Sequence, residues 1–299
     1  MSELVDALGG VVVIDKPGGL TSHDVVGRCR RIFKTRKVGH AGTLDPMATG
    51  VLVLGVNRAT KLLGLLSLST KSYEATIRLG SSTSTDDAEG EVTSSADASM
   101  ITAAEYGPAV EALTGTIKQV PSAVSAIKVA GRRAYDIVRS GEDVDLAARE
   151  VTVSRFAVHR DRREGRYLDL DVTVDCSSGT YIRALARDLG AALGVGGHLT
   201  RLRRTTVGDL SLADALTLDE LAEVPKLSLS LDSAASRLFP VRRISDSEAG
   251  VLRHGRWLEP AGIGGVYAAV AQSGQALALL EERGRRASPV FVIRPSGLA

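Results

Sequence analysis

The sequence predicts an α+β protein: a mixed, largely antiparallel sheet flanked by helices, followed by a small C-terminal β-rich domain. Three observations carry this. Strand-like and helix-like segments are mixed without strict βαβ alternation. Several strands alternate apolar and polar residues, as suits an antiparallel sheet with one face covered. A serine-rich stretch from 228 to 239 precedes short, glycine-rich strand candidates over 240–299. The expected boundaries are a large domain over 1–235, a linker, and a small domain over 240–299. A chain of 299 residues is long enough for both.

In chain order, "GGVVVIDKPGG" (9–19) is a short apolar run ended by Pro17-Gly18-Gly19, a buried strand running into a turn. Thr21 or Ser22 can cap the next helix, where Val25, Val26, Cys29, Ile32 and Phe33 recur at helical spacing and leave Arg28, Arg30, Arg31 and Lys34 outward. "VLVLGV" (51–56) is a second buried strand. "YEATIRLG" (73–80) places Tyr73, Ala75, Ile77 and Leu79 on one face and Glu74, Thr76 and Arg78 on the other. Residues 101–113 read as helix. The stretch 115–141 begins extended and turns helical near Tyr135. "VTVSRFAVH" (151–159) and "YLDLDVTVD" (167–175) alternate as strands, and "SGTYIRALARDLGAAL" (178–193) is an amphipathic helix.

Composition narrows the function. Hydrophobic content of 44% and charged content of 24% are those of an ordinary soluble globular chain. The N-terminal segment is acidic and lacks the apolar run of a secretory signal, and no stretch reaches membrane-spanning length. The two cysteines, Cys29 and Cys176, lack metal-type spacing and read as core residues of a reducing compartment. A cytoplasmic location is the expectation. The five histidines are scattered, and no HExxH, EF-hand loop, GxxxxGK[ST] or GxSxG motif occurs. Neither a metal nor a nucleotide cofactor is expected.

Net charge is only +2, but it is unevenly spread. Six of the ten residues in "RCRRIFKTRK" (28–37) are basic, while acids gather in "TDDAEGE" (85–91) and "GEDVD" (141–145). A solvated helix face is the ordinary reading of one such run. Further groups at Arg201/Arg203/Arg204 and Arg283/Arg285/Arg286 favour a polyanion surface, with Arg30 and Arg31 as phosphate contacts. Only 4% of residues are aromatic, which fits structured RNA better than a base-stacking platform for loose single strands.

The stretch "GHAGTLDPMATGV" (39–51) sets Asp45 in a glycine-punctuated loop, and Pro46 biases it away from helical backbone. Alone, an aspartate before proline is usually a turn-former. The longer run "GHAGTLDPMATGVLVLG" (39–55), however, resembles the signature of the tRNA pseudouridine synthase B (TruB) family. "VIDKPGGLTSHDVV" (13–26), "KSYEATIRLGSSTSTDDAEG" (71–90), "QVPSAVSAIKVAGRRAY" (119–135) and "SSGTYIRALARDLG" (177–190) resemble four more family motifs, in the family's order.

The resemblance implies the pseudouridine synthase catalytic fold with a C-terminal PUA-like RNA-binding domain. It implies isomerisation of uridine 55 in the T-arm loop of tRNA, with no cofactor and no required protein partner; monomer is the default. It makes Asp45 the nucleophile or ion-pair stabiliser at C1′ or C6 and Arg183 the cation paired with it, opposing its protonation. Tyr73 would stack on the target base and is a candidate to move a proton, and Tyr181 would stand near the pocket. His40 would fill the space left by the flipped nucleotide. Asp87, with Asp86 as the neighbouring alternative, would hold the pocket arginine before substrate binds. Lys16 and Lys128 would give structural support or phosphate contact. Two other readings stand beside this one: a pseudouridine synthase acting on another RNA, and an RNA-binding or tRNA-folding protein without catalysis.

Overall fold

The computed structural model describes residues 7–122, 128–129, 132–133 and 147–297. Its principal elements in chain order are β1 (Gly9–Lys16), α1 (Ser22–Ile32), β2 (Val38–His40), β3 (Thr49–Asn57), β4 (Lys71–Leu79), α2 (Ala103–Ala112) and β5 (Gly115–Gln119). There follow β6 (Arg149–Glu164), β7 (Tyr167–Cys176), α3 (Ile182–Ala192), β8 (Gly197–Val207), α4 (Leu218–Glu223), β9 (Leu229–Ser230) and α5 (Leu231–Leu238). The C-terminal part holds β10 (Val241–Ile244), α6 (Asp246–Arg253), β11 (Val266–Ala271), β12 (Ala276–Arg283) and β13 (Arg286–Val292). The α+β expectation holds: β1 with β3 and β9, β2 with β3, β4 with β7 and β8, β6 with β5 and β7, and β12 with β11 and β13 pair antiparallel, while β10 pairs parallel with β11.

The chain divides into two compact units. The first comprises Met1–Pro46, Gly50–Ser67 and Gly208–Ala299; the second comprises Met47–Thr49 and Leu68–Val207. In the first, β1 pairs with β3 from Gly9↔Asn57 to Lys16↔Gly50, β9 adds to the other edge of β1, and β2 pairs with β3. Both central strands are apolar runs because both faces are covered: Val11–Ile14 and Val51–Leu54 are fully buried. Helix α1 starts at an N-cap Thr21 with a capping box to Asp24 and buries Val25, Val26 and Cys29, as its periodicity predicts.

The C-terminal sheet, in the order β10-β11-β12-β13, has its own core around Ile244, Leu252, Tyr267, Leu277 and Leu280. It is tied into the rest of its unit. The Arg58 guanidinium donates to the carbonyls of Val292 (2.6 Å) and Ile293 (3.0 Å) and lies over the Phe291 ring. Asp232 accepts from the Ala276 amide and from Arg294. Asp232 belongs to α5, which occupies the serine-rich stretch expected to be a linker. That expectation is corrected: Leu231, Ala234 and Ala235 are buried along one face, and Ser230 caps the helix. Serine there marks a helix start rather than a flexible connection.

The second unit is a sheet in the order β8-β4-β7-β6-β5, with β4 central. Tyr73, Ala75, Ile77 and Leu79 are buried on β4, as the alternation predicts. Thr76 is buried as well, with its hydroxyl donating to Asp171. Helix α3 lies against β8 so closely that a Cβ on Gly190 would stand 2.1 Å from the Gly197 nitrogen. The expected helix near Tyr135 lies outside the described residues.

Candidate active site

In the first unit, Asp45 sits in the loop between β2 and β3, half-buried, and both of its neighbours are tethered. The buried Ser22 hydroxyl accepts from the Leu44 amide (2.8 Å) and donates to the Leu44 carbonyl (3.1 Å). The Pro46 carbonyl accepts from the Gly19 amide (2.9 Å) and from Lys16 Nζ (3.2 Å). Lys16 is fully buried, and its ammonium also donates to the carbonyls of Leu20 (2.7 Å) and Pro17 (2.9 Å). These three carbonyls tie the ammonium to the loop. Gly42 and Gly50 adopt positive φ at either end of the turn. His40 ends β2 and is half-buried. On α1, Arg31 is exposed, whereas the Arg30 guanidinium donates to the Val38 carbonyl (3.0 Å), linking the helix to β2.

The second unit carries Tyr73, Asp87, Tyr181 and Arg183. Arg183, on the first turn of α3, is 5% exposed and Asp87 is 2% exposed; they form an ion pair at 3.2 Å. Arg183 also donates to the Thr85 carbonyl (2.8 Å). Asp87 accepts from the Thr85 hydroxyl and the Glu89 amide, so its second oxygen is held by the turn itself. The neighbouring Asp86 adopts a left-handed backbone (φ 61°) and pairs instead with Arg187 at 3.3 Å. Two arginines four residues apart on one helix face thus take one aspartate each. Tyr73 is 6% exposed and stands in register between Val174 and Arg204. Tyr181 is the N-cap of α3. Lys128 lies in a two-residue strand paired with Arg132–Arg133, and its side chain is outside the described residues.

Sequence reasoning missed several polar groups. Arg204, expected with Arg201 and Arg203 on a polyanion surface, is corrected: it is 1% exposed on β8, beside the buried Lys71 of β4, and burial, then Arg204, lowers the Lys71 pKa to about 8. Ser22 and Gln119 lie inside recognised motifs, yet nothing in their residue type says that they are buried clamps. The cysteines behave as expected: burial raises Cys176 to about 11 and Cys29 to about 12, leaving inert thiols. Among the described residues no cluster could hold a metal ion, and no described helix is long and apolar enough to cross a membrane.

The fold is shared with chains of solved complexes that contain Cbf5. A chain in the crystal structure of a Cbf5–Nop10–Gar1 complex superposes with TM-score 0.73 at 26% identity, covering 98% of this chain and 87% of that one. A chain in the archaeal box H/ACA sRNP Nop10–Cbf5 complex gives TM-score 0.72 at 25% identity, covering 98% and 88%. The model of the TruB family pseudouridylate synthase N-terminal domain matches residues 30–182. The tRNA pseudouridylate synthase B C-terminal domain matches 183–238, and the tRNA pseudouridine synthase II C-terminal model matches 239–294. The tRNA pseudouridine synthase B of Nocardia farcinica is 66% identical over 98% of this chain and 96% of its own length. That of Rhodococcus jostii is 63% identical over 97% and 95%. The chain belongs to the TruB family of pseudouridylate synthases.

Proposed function

We propose that this protein is a tRNA pseudouridine synthase acting on the uridine at position 55 of the T-arm loop, with Asp45 as its essential carboxylate. The observation that carries the reading is the tethering of Leu44 and Pro46, which fixes the one residue between them. A turn-forming aspartate needs no such frame; a carboxylate that must meet C1′ or C6 of a flipped nucleotide does. The names of the high-identity relatives support the substrate class.

In the reaction the N1–C1′ bond breaks, the uracil rotates, and C5 bonds to C1′, while the C5 proton leaves to solvent and N1 takes up a proton. Atoms and electrons balance without a redox partner. Arg183 is the cation that keeps the catalytic carboxylate ionised in the working enzyme, and Asp87 holds that cation before RNA arrives. Tyr73 stacks on the target base and moves a proton, Tyr181 lines the base pocket, and His40 occupies the stack left by the flipped nucleotide. Lys16 supports the loop, Arg31 contacts phosphate, and Arg30 divides its charge between phosphate and the Val38 carbonyl. Lys128 contributes to RNA binding. Residues 240–299 form a PUA-like domain that adds contacts to the tRNA body.

The test is release of tritium from an unmodified tRNA transcript carrying [5-³H]uridine, with wild type and Asp45→Asn. Wild type should release one equivalent per tRNA. Asp45→Asn should release none while tRNA affinity stays within about tenfold, ~1.4 kcal/mol. Substantial turnover by Asp45→Asn would sink the assignment.

A further inference from the structure

Four helix starts among the described residues share one pattern, and the helix that bears Arg183 departs from it. At α1, α2, α4 and α6 a Thr or Ser stands at the N-cap and an acid three residues on accepts from the N-cap amide. The pairs are Thr21–Asp24 (2.9 Å), Thr102–Glu105 (2.8 Å), Thr217–Glu220 (2.8 Å) and Ser245–Glu248 (2.8 Å). At α3 the N-cap is Tyr181, whose side chain makes no capping bond, and the residue three on is Ala184, which is fully buried. An acid at 184 would put a charge in the core.

The missing acceptor comes from another element. Gln119, at the end of β5 and 1% exposed, accepts from the Tyr181 amide through Oε1 at 2.8 Å, the length found in the capping boxes. Its Nε2 donates to the Tyr181 carbonyl at 3.1 Å, the same carbonyl that takes the first helical bond from Leu185. One peptide-like side chain therefore pairs with both backbone polar groups of one residue. This needs a donor and an acceptor on one planar head at glutamine reach; a carboxylate supplies only acceptors, and an apolar residue neither. One position further, the Val120 carbonyl accepts from Arg187 at 2.7 Å, so the end of β5 is joined to α3 at a second point.

We propose that Gln119 is a positioning residue for catalysis: an N-cap supplied from β5 that frees position 181 for a pocket tyrosine and aims the first turn of α3, with Arg183, at its task. The inference rests on the pseudouridine synthase reading above. A conventional N-cap would require Ser, Thr, Asp or Asn at 181, which would remove the aromatic ring from the pocket. Moving the capping function to a neighbouring strand keeps both the helix start and the ring.

The experiment uses the full-length protein with Gln119→Leu, which removes both bonds, and Gln119→Glu, which keeps the acceptor and sets an oxygen against the Tyr181 carbonyl. Readouts are kcat and Kd on the tRNA transcript, the thermal midpoint, and hydrogen exchange of peptides beginning at Tyr181. Both variants should lose kcat by about tenfold to a hundredfold, with Kd within twofold and midpoints well above the assay temperature. Exchange at the Tyr181 amide should accelerate in Gln119→Leu and stay slow in Gln119→Glu. If Gln119→Leu does not fold, the Gln119→Glu arm decides alone. Turnover within twofold of an active wild type, or kcat and Kd declining together with the thermal midpoint, would overturn the positioning role and leave the enzyme assignment intact. A wild type that converts no uridine would overturn both.

Discussion

Replacing Gly190 by alanine tests whether the seating of α3 sets activity. The added Cβ would stand 2.1 Å from the Gly197 nitrogen, 2.2 Å from the Gly196 carbonyl carbon and 2.5 Å from its oxygen. All three are backbone atoms, so no side chain can swing aside. Reaching even the 3.0 Å that real Cβ atoms essentially never breach moves helix from strand by at least about 0.9 Å. Overpacking of this kind costs about 1–3 kcal/mol, a fall in melting temperature of about 3–10 °C. Arg183 lies two turns back on the same rigid helix, so the shift is transmitted to it. A displacement near 1 Å can cost about a hundredfold in rate. The assay is tritium release at saturating tRNA beside a melting curve. The control is Gly27→Ala on α1, where a Cβ meets nothing within 4 Å; it should raise stability by about 0.5–1 kcal/mol and leave kcat alone. A Gly190→Ala protein with wild-type kcat and melting temperature would refute the reasoning that α3 is held rigidly against β8.

Two further outcomes are expected. Burial and then Arg204 lower Lys71 to about 8 from 10.5, so the folded state disfavours its charge. Lys71 is charged in both states below pH 8, and its cost to folding is fully present there. The cost fades as pH rises from 8 towards 10.5, because the unfolded chain then binds more protons than the folded one. The unfolding free energy of wild type relative to Lys71→Met should therefore move in favour of wild type by up to about 3 kcal/mol between pH 7 and 10.5; a constant gap would place the Lys71 ammonium in water. Ending the chain at Leu238 removes the partners that Arg58 and Asp232 have in residues 276–294. The shortened protein should melt cooperatively at a lower temperature and convert a T-arm stem-loop at 20 °C, with a raised KM for whole tRNA. Loss of cooperative melting would show that residues 240–299 complete the core of their unit.

Regular elements were legible because their signal is periodic and local. The strand at 51–56 and the alternation of 73–80 need only the sequence spacing of apolar residues, and they recur as β3 and β4. The α5 segment was not legible: "LDSAASRL" carries serines whose role depends on which small residues face the core, and that is decided by neighbours distant in sequence. The site divides in the same way. Asp45, His40 and Arg183 could be named from motif resemblance. Asp87 could be named the same way, with Asp86 as the open alternative; that Asp86 turns to Arg187 instead could not be, because it goes with a left-handed backbone angle at Asp86 that no motif spells out. Ser22 and Gln119 escaped for another reason: a buried polar clamp looks in sequence like any surface serine or glutamine, and only its long-range partners reveal it.

The ammonium of Lys16 has a chemical consequence as well as a structural one. Amine-reactive compounds, from acyl phosphates to thioesters, require a neutral nitrogen lone pair reachable from solvent. A lysine with no exposed surface, its ammonium donating to the carbonyls of Pro17, Leu20 and Pro46, is not reachable while the protein is folded. Any acyl group found on Lys16 was therefore attached before the chain closed around it or during an opening that undid the Asp45 loop. An acylated nitrogen keeps one N–H where three were used, so such a chain cannot re-form the loop as it was. An acyl group on Lys16, readable by mass spectrometry, thus marks a molecule whose Asp45 loop stood open when the amine reacted.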